Sequence, residues 1–300
     1  METAANLTAE QRAKRDHLLE VLRSYGSAAV AFSGGIDSTV VAQAAFLALG
    51  ERAVAVTADS PSVARAELDE ARQLARRIGI RHRVIITAEF GNPDYVRNDG
   101  RRCYFCKSEL YQRLEALLPE LGVAVMCSGA NLDDLGDYRP GLWAAAEHRV
   151  RHPLQEAGCT KADVRALARS WGLPNWDKPA SPCLSSRIAP GVAATPERVA
   201  RVEAAEALLK SLGYRECRVR VHEGELARIE VPPTEVARLA DPAVSAVVIG
   251  RFRELGFRFV TLDLEGFRSG SLNVLVQLTT PTLDGLGFRR EGVGSGASKP

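Results

Sequence analysis

Short strand-like runs that alternate with helical patterns constrain the fold of this chain more than any other feature. The strand-like runs lie at 28–32, 53–57, 83–87 and 123–127. The helical patterns lie between them, at 40–49, 63–78 and 110–121, and a glycine follows each one. Because strands that alternate with helices pair in parallel and are covered on both faces, the pattern predicts an α/β fold with a Rossmann-like parallel sheet.

A segment rich in proline and serine, 172–191, marks a domain boundary. Beyond it, a helix that opens at Pro196 and strand patterns at 215–222, 227–231 and 257–264 predict a smaller α+β domain. We therefore expect a first domain at 1–175, a second at 176–275 and a partly disordered tail at 276–300. Capping-box patterns at Thr8 and Thr160 predict the starts of two more helices.

The composition argues against several classes of protein. The 39 basic and 37 acidic residues leave a net charge of +2, which gives no support to a nucleic-acid-binding surface. No apolar run reaches the ~20 residues of a membrane span, and the polar N-terminus is unlike a secretory signal. Six cysteines are too few for a disulfide scaffold. These observations predict a cytoplasmic protein with neither nucleic acid nor membrane as a partner.

The sharpest candidate for a ligand site is the hexapeptide SGGIDS at 33–38, between the first strand and the first buried helix. Gly34 and Gly35 allow backbone N–H groups to close around phosphate oxygens, and the helix N-terminus adds a positive dipole. Ser33 and Ser38 add hydroxyl donors. No Gly-Lys-Ser/Thr follows, so this is not a Walker A loop. A tight turn with a capping side chain is the alternative, but the whole hexapeptide in this context favours phosphate binding.

The hexapeptide resembles the SGGxDS signature of the PP-loop ATP pyrophosphatases, which have an adenine nucleotide alpha hydrolase-like fold. The resemblance implies that ATP and magnesium are cofactors and that ATP is cleaved between its α- and β-phosphates. Adenylation then makes AMP the leaving group in place of a carboxylate or amide oxygen. Asp37 would work near the magnesium, with Ser33, Gly34, Gly35 and Ser38 binding ATP.

Three further stretches narrow the resemblance. They are RCYFCK at 102–107, GANLDD at 129–134 with DYRPG at 137–141, and PASPCLSSR at 179–187. In this order they resemble the LarE family of ATP-dependent sulfur transferases, over roughly residues 28–273. Those enzymes adenylate a carboxylate of pyridinium-3,5-biscarboxylic acid mononucleotide and convert it to a thiocarboxylate. The product belongs to biosynthesis of the nickel-pincer nucleotide cofactor of lactate racemase.

The resemblance also assigns residues to the nucleotide and to the substrate. Gly129 and Asn131 are expected to bind ATP, as is Asp59, although a simple turn at Asp59 and Ser60 is the alternative. The substrate carries two carboxylates and a phosphate, which guanidinium groups bind in bidentate fashion. The residues expected to bind it are Arg187, Glu206, Arg218, Arg220 and Arg268. For any single arginine, solvated surface charge is the alternative.

Cys183 is the residue expected to supply or carry sulfur. In some LarE enzymes the matching cysteine is a sacrificial donor that becomes dehydroalanine, and in others three cysteines hold a 4Fe–4S cluster with one open iron. This chain has Cys103, Cys106 and Cys183. We favour the cluster, because a sacrificial donor has no need of the Cys103–Cys106 pair. A structural zinc with His148 or His152 as fourth ligand is the alternative.

Two other functions compete with sulfur transfer to this nucleotide. A tRNA thiolase also joins a PP-loop to a cysteine pair, but the near-neutral charge disfavours it. A non-enzymatic nucleotide-binding module with structural zinc is the second. Under the favoured hypothesis the partners are a small nucleotide substrate, further copies of this chain in a homo-oligomer, and transiently other proteins of nickel-pincer biosynthesis.

Overall fold

The computed structural model describes residues 7–136, 140–268, 271–272 and 275. Its first unit contains a four-stranded parallel sheet with strand order β3-β2-β1-β4. The strands are β1 (Ala28–Ala31), β2 (Ala53–Asp59), β3 (Arg81–Ile86) and β4 (Val125–Cys127). The sheet confirms the predicted α/β fold. The predicted tail at 276–300 and motif residues Asp137, Tyr138 and Arg139 lie outside the described residues.

Helices cover both faces of this sheet. They are α1 (Ala9–Ser24), α2 (Ile36–Leu49), α3 (Arg65–Ile78), α4 (Pro93–Val96), α5 (Arg102–Leu121), α6 (Pro140–Glu147), α7 (Pro153–Glu156) and α8 (Lys161–Ser170). Strand β1 is buried along its length. Its alternate side chains Ala28 and Val30 join one core, with α1, α2, α3 and α8, and Ala29 and Ala31 join the other, with α5 and α6. This two-sided burial explains the continuous apolar run in the sequence.

Both predicted capping boxes are present. The Thr8 hydroxyl accepts a hydrogen bond from the Gln11 backbone N–H at 3.1 Å, and α1 follows. The Thr160 hydroxyl accepts from the Asp163 N–H at 3.3 Å, and α8 follows. Each cap satisfies a backbone donor that the helix itself leaves unpaired.

Helix α5 begins eight residues earlier than predicted, at Arg102 instead of 110. Cys103 and Cys106, which precede the predicted helix, therefore lie on its first turns in the structure. Tertiary packing accounts for the difference: Tyr104 packs against the core of the parallel sheet, and Phe105 packs against the core of the second unit. Such packing outweighs local propensity.

The second unit is an α+β structure around a three-stranded sheet, in which β5 and β6 are antiparallel and β6 and β7 parallel. Its elements are α9 (Pro196–Ser211), β5 (Arg218–His222), β6 (Leu226–Glu230), α10 (Val236–Ala240), α11 (Pro242–Glu254) and β7 (Phe259–Leu262). The sequence did not predict α11. Tyr95 of α4 is buried in this second core, so the first unit contributes to it. In the described parts of the chain, no helix is long and apolar enough to cross a membrane.

Candidate active site

The hexapeptide at 33–38 forms a loop between the end of β1 and the start of α2. The Ser38 hydroxyl accepts from the Ser33 backbone N–H at 3.2 Å and donates to the Gly35 carbonyl at 3.0 Å. No side chain caps α2, whose N-cap is Gly35. The positive end of this 14-residue helix is therefore available to an anion. We call residues 33–38 the phosphate loop.

Two glycines are required by the way this loop packs. Gly34 has φ +75°, a left-handed conformation that side chains disfavour, and a Cβ there would lie 3.2 Å from Ala71 of α3. Gly129, just beyond β4, lies against the loop so closely that a Cβ would stand 2.7 Å from the Ser38 backbone nitrogen. The structure therefore brings the sequence-predicted Gly129 into contact with the phosphate loop across more than 90 residues of chain.

Asp37, on the first turn of α2, is held between a neutral and a cationic partner. Its Oδ1 accepts from Asn131 Nδ2 at 3.0 Å, and its Oδ2 lies 3.7 Å from Lys161 Nζ. Asp133 accepts from the Lys161 backbone N–H at 2.6 Å, which ties the start of α8 to the same segment. The predicted residues Asp37 and Asn131 are thus neighbours. A carboxylate and an ammonium at a helix N-terminus can together hold a magnesium–polyphosphate group.

Sequence reasoning missed two residues of this site. Lys161 follows Thr160, the capping residue of α8, and no sequence signal connects it with Asp37. Asn175 lies beneath the phosphate loop, 4% exposed, and its Nδ2 donates to the Gly34 carbonyl and to Thr39 Oγ1, both at 3.0 Å. Asn175 precedes the motif at 179–187 by four residues, so extending that motif upstream would have included it.

Asp59 is the last residue of β2 and Ser60 follows it, at the same edge of the sheet as the phosphate loop. The Asp59 carboxylate pairs with Arg65 at 2.6 Å, and Arg65 also donates to the Ser60 carbonyl at 2.7 Å. Parallel strands present their carboxyl ends at one edge, where α/β proteins bind nucleotides. The structure therefore places Asp59 at the predicted edge, with its charge already balanced by a neighbouring arginine.

Two of the three predicted sulfur-site cysteines share a helix, and the third lies in a loop. Cys103 and Cys106 are three residues apart on α5, which puts them on one helix face, and Cys183 is exposed in the loop before Leu184. Cys103 is exposed and Cys106 is half-buried. Desolvation by the surrounding protein raises the pKa of both thiols, to about 12 for Cys106, and the charge of Cys183 raises both further.

Cysteine thiolates are the ligand type that iron–sulfur clusters use, so the chemistry of this donor set fits such a cluster. Over the described residues, however, no group of three or more Cys, His, Asp or Glu is arranged to hold a metal ion. The two histidines proposed as a fourth zinc ligand have other partners: His148 contacts Glu115 at 3.1 Å, and His152 contacts Ser128 at 2.9 Å. The other cysteines are buried, as expected of inert core thiols. They are Cys127, Cys159 and Cys217.

Arg218 and Arg220 lie on one face of β5, as predicted, but their surroundings differ. Arg218 stacks over the Phe267 ring at 5.0 Å, and no carboxylate of the described residues pairs with it. Burial lowers the pKa of its guanidinium, and the charge of Arg187 lowers it further. Arg220 instead forms a buried pair with Glu230 at 2.9 Å. Arg218 is therefore the arginine that gains most from an incoming anion.

The other predicted substrate residues are engaged with protein partners. Arg187 and Glu206 form a buried pair at 3.0 Å, and Glu206 also accepts from the Val219 backbone N–H at 3.2 Å. Arg187 also donates a hydrogen bond to the Cys183 carbonyl at 3.0 Å, which connects the Arg187–Glu206 pair to the loop that carries Cys183. Arg268 lies 2.6 Å from Glu265, at the surface of the second unit.

Comparison with known proteins places these features in a family context. Residues 16–94 match the family model described as asparagine synthase. An uncharacterised protein of Synechocystis is 46% identical over 87% of this chain and 97% of its own length. The pyridinium-3,5-bisthiocarboxylic acid mononucleotide synthase of Lactiplantibacillus plantarum is 41% identical over 87% of this chain and 94% of its own. The tRNA-specific 2-thiouridylase MnmA of Azorhizobium caulinodans is 31% identical, over 51% of this chain and 48% of that protein.

The contact of Gly129 with the phosphate loop yields a prediction. Gly129→Ala should weaken ATP binding by about 1–3 kcal/mol, because the added methyl group pushes the Ser38 backbone out of position. Isothermal titration calorimetry with a non-hydrolysable ATP analogue measures the change. Gly250→Ala, at an exposed position of α11 with nothing within 4 Å, is the matched control and should keep wild-type affinity. Wild-type affinity in Gly129→Ala would show that the close contact does not shape the nucleotide site.

Proposed function

Because the chain belongs to the LarE family of PP-loop ATP pyrophosphatases, we propose that it is an ATP-dependent sulfur transferase. Its proposed substrate is pyridinium-3,5-biscarboxylic acid mononucleotide, of which one carboxylate becomes a thiocarboxylate in nickel-pincer nucleotide biosynthesis. The observation that carries the proposal is the match over 94% of the Lactiplantibacillus synthase, which includes both units of the fold. The thiouridylase match covers about half of each chain, so tRNA thiolation has weaker support.

The first half-reaction is adenylation. A substrate carboxylate oxygen attacks the α-phosphorus of ATP, the bond to the β-phosphate breaks, and pyrophosphate leaves with its magnesium. The phosphate loop and the N-terminus of α2 hold the polyphosphate, with Ser33 and Ser38 as hydroxyl donors. Asp37 would hold a magnesium ion, which would neutralise part of the polyphosphate charge, and Lys161, 3.7 Å from Asp37, offsets the charge that develops on pyrophosphate. Gly129 and Asn131 shape the site, and the sugar lies towards Asp59.

The second half-reaction replaces the oxygen of the acyl-adenylate with sulfur. A sulfide held beside Cys183 attacks the acyl carbon, and the bond from that carbon to the AMP oxygen breaks. AMP leaves with the former carboxylate oxygen, and the sulfur stays on the carbon as the thiocarboxylate. We propose that Cys103, Cys106 and Cys183 hold a 4Fe–4S cluster, which when bound supplies an open iron for an additional sulfide. The position of Cys103 and Cys106 on one face of α5, with Cys183 as a third thiol, supports this assignment. In the alternative, the Cys183 thiolate itself attacks the acyl carbon. Loss of the Cys183 α-proton with cleavage of its Cβ–Sγ bond then leaves the thiocarboxylate and dehydroalanine.

We assign substrate binding to the second domain, residues 176–275. Arg218, which pairs with no carboxylate in the described part of the chain, offers its guanidinium to a substrate phosphate or carboxylate. The proposed site also includes Arg220 and the buried pair Arg187–Glu206, which lies beside Cys183. Arg268 lies at its outer edge.

As the family resemblance implies, we also propose a cytoplasmic homo-oligomer that binds other proteins of nickel-pincer biosynthesis transiently.

The adenylation half-reaction predicts a strong effect at Asp37. Asp37→Asn keeps the size of the side chain but removes the charge that binds magnesium, so pyrophosphate release should fall about 10²-fold or more. A coupled pyrophosphate assay with the pyridinium substrate measures the rate. Asp69→Asn, which alters an exposed carboxylate paired with Arg72 on α3, should leave it unchanged. A near wild-type rate in Asp37→Asn would remove the basis for the proposed ATP chemistry.

The substrate assignment predicts a different effect at Arg218. Arg218→Ala should raise the KM for the pyridinium nucleotide by about 10- to 150-fold, equivalent to ~1.5–3 kcal/mol for a lost charge-assisted hydrogen bond. The KM for ATP should stay near wild type, because Arg218 lies in the second unit. Arg215→Ala, three residues earlier and exposed, is the control. The opposite pattern, with ATP affinity lost and substrate affinity kept, would move Arg218 out of the substrate site.

The sulfur assignment predicts that three cysteines act together. Cys103→Ala, Cys106→Ala and Cys183→Ala should each abolish iron content and multiple turnover after anaerobic reconstitution, because a cluster needs all three thiolates. Cys217→Ala, which alters a buried core thiol, should abolish neither. Iron analysis and intact-mass spectrometry after turnover with added sulfide provide the measurements. Full activity in both helix variants, together with stoichiometric dehydroalanine at position 183 of wild type, would establish Cys183 as a sacrificial donor.

A further inference from the structure

The chain between α8 and Cys183 contains no helix or strand, yet it connects the nucleotide site with the sulfur site. Cys183 is exposed at its far end. A segment of this kind samples many conformations unless side chains fasten it. We call residues 175–183 the Cys183 segment. The contacts of this segment determine the position of the Cys183 sulfur relative to the phosphate loop.

The segment starts under the phosphate loop. Asn175 Nδ2 donates to the Gly34 carbonyl and to Thr39 Oγ1, each at 3.0 Å. A carbonyl oxygen only accepts hydrogen bonds, so the amide nitrogen must face it and the orientation of Asn175 is fixed. This end of the segment therefore moves with the phosphate loop.

The middle of the segment is fastened to α3. Lys178 Nζ lies 2.6 Å from a carboxylate oxygen of Glu67 and 2.6 Å from one of Glu70, and its side chain is 17% exposed. Burial lowers the pKa of Lys178, but the hydrogen bonds to the two carboxylates outweigh this effect and raise it. Glu67 also accepts from the Ser181 hydroxyl at 3.0 Å. Lys178 is thus a charged link with two partners on one helix face.

Helix α3 is itself in contact with the phosphate loop. Ala71, one residue beyond Glu70, lies so close to Gly34 that a Cβ there would be 3.2 Å from it. Beyond Cys183, the Leu184 backbone N–H donates to the Ser62 carbonyl at 2.8 Å. Because α3 contacts the phosphate loop directly, the ion pairs of Lys178 with α3 fix the position of Cys183 relative to the nucleotide.

We propose that Lys178 is a positioning residue that holds Cys183 at the nucleotide site through Glu67 and Glu70. This inference rests on the proposed sulfur transfer and deepens it. The Lys178 ammonium is already bound by Glu67 and Glu70, so Lys178 acts by raising the local concentration of sulfur at the acyl-adenylate. When the segment is loose, water attacks the acyl carbon instead. The bond to AMP still breaks, but the product is the original carboxylic acid and AMP, so ATP is consumed without sulfur transfer.

The test compares sulfur transfer with ATP consumption. In Lys178→Met, pyrophosphate release should stay within about twofold of wild type, while thiocarboxylate formed per pyrophosphate should fall about 10- to 100-fold. Lys178→Arg, which keeps the charge, should recover most of that ratio. The double variant Glu67→Gln/Glu70→Gln should lower the ratio as Lys178→Met does, from the opposite side of the contact.

Lys14→Met is the matched control, because Lys14 also bridges two carboxylates, Glu10 at 2.9 Å and Asp163 at 2.8 Å, away from Cys183. It should keep the wild-type ratio. An unchanged ratio in both Lys178→Met and the double glutamine variant would overturn the proposal. So would an equal fall in Lys14→Met, which would indicate a general loss of structure.

Hydrogen exchange of the peptide that spans residues 175–186 tests the same contact without catalysis. Its amide protons should exchange at least about tenfold faster in Lys178→Met than in wild type or Lys178→Arg, because the segment loses its link to α3. Unchanged exchange in Lys178→Met would overturn the proposal. A wild-type protein that releases no pyrophosphate would refute the proposed function instead, and the exchange result would still decide the role of Lys178.

Discussion

The parallel alignment of β1, β2 and β4 is the constraint on which the rest of the structure depends. It brings the chain segments that follow these strands to one edge of the sheet, although they are far apart in sequence. Backbone contact then fixes their spacing, most tightly where Gly129 meets the Ser38 nitrogen. Because a side chain at position 129 would not fit against the Ser38 backbone, the nucleotide site depends first on main-chain geometry and second on side-chain chemistry.

The charged residues of the second unit fall into two groups that differ in their ion pairing. The pairs Arg187–Glu206 and Arg220–Glu230 are buried and mutually neutralised, so removing one partner would leave an uncompensated charge. These pairs stabilise the three-stranded sheet and the loop that carries Cys183. Arg218 lacks such a partner among the described residues and stacks on an aromatic ring instead. An anionic substrate would supply the missing negative charge. Arg218 is therefore the residue at which the second unit would bind such a substrate.

Sequence reasoning predicted the parallel sheet because β1 is buried on both faces and therefore reads as an uninterrupted apolar run. Motif resemblance also assigned Asp37 and Asn131 to the nucleotide, but it gave no sign that the two side chains are hydrogen-bonded to each other. Sequence reasoning could not predict the helical start of α5, because Tyr104 and Phe105 are ordered by two different cores. Lys161 and Asn175 escaped notice for a related reason. Their partners Asp37 and Gly34 lie more than 120 residues away, and no local pattern encodes such contacts.

The central claim is that ATP activates a substrate carboxylate by transferring AMP to it, before sulfur displaces AMP. The most direct test uses pyridinium-3,5-biscarboxylic acid mononucleotide labelled with ¹⁸O in its carboxylates, followed by mass spectrometry of the AMP produced. Attack by the carboxylate on the α-phosphorus requires one labelled oxygen to leave with each AMP, and the account predicts AMP carrying one ¹⁸O. Unlabelled AMP, or ADP and phosphate as the products, would contradict it.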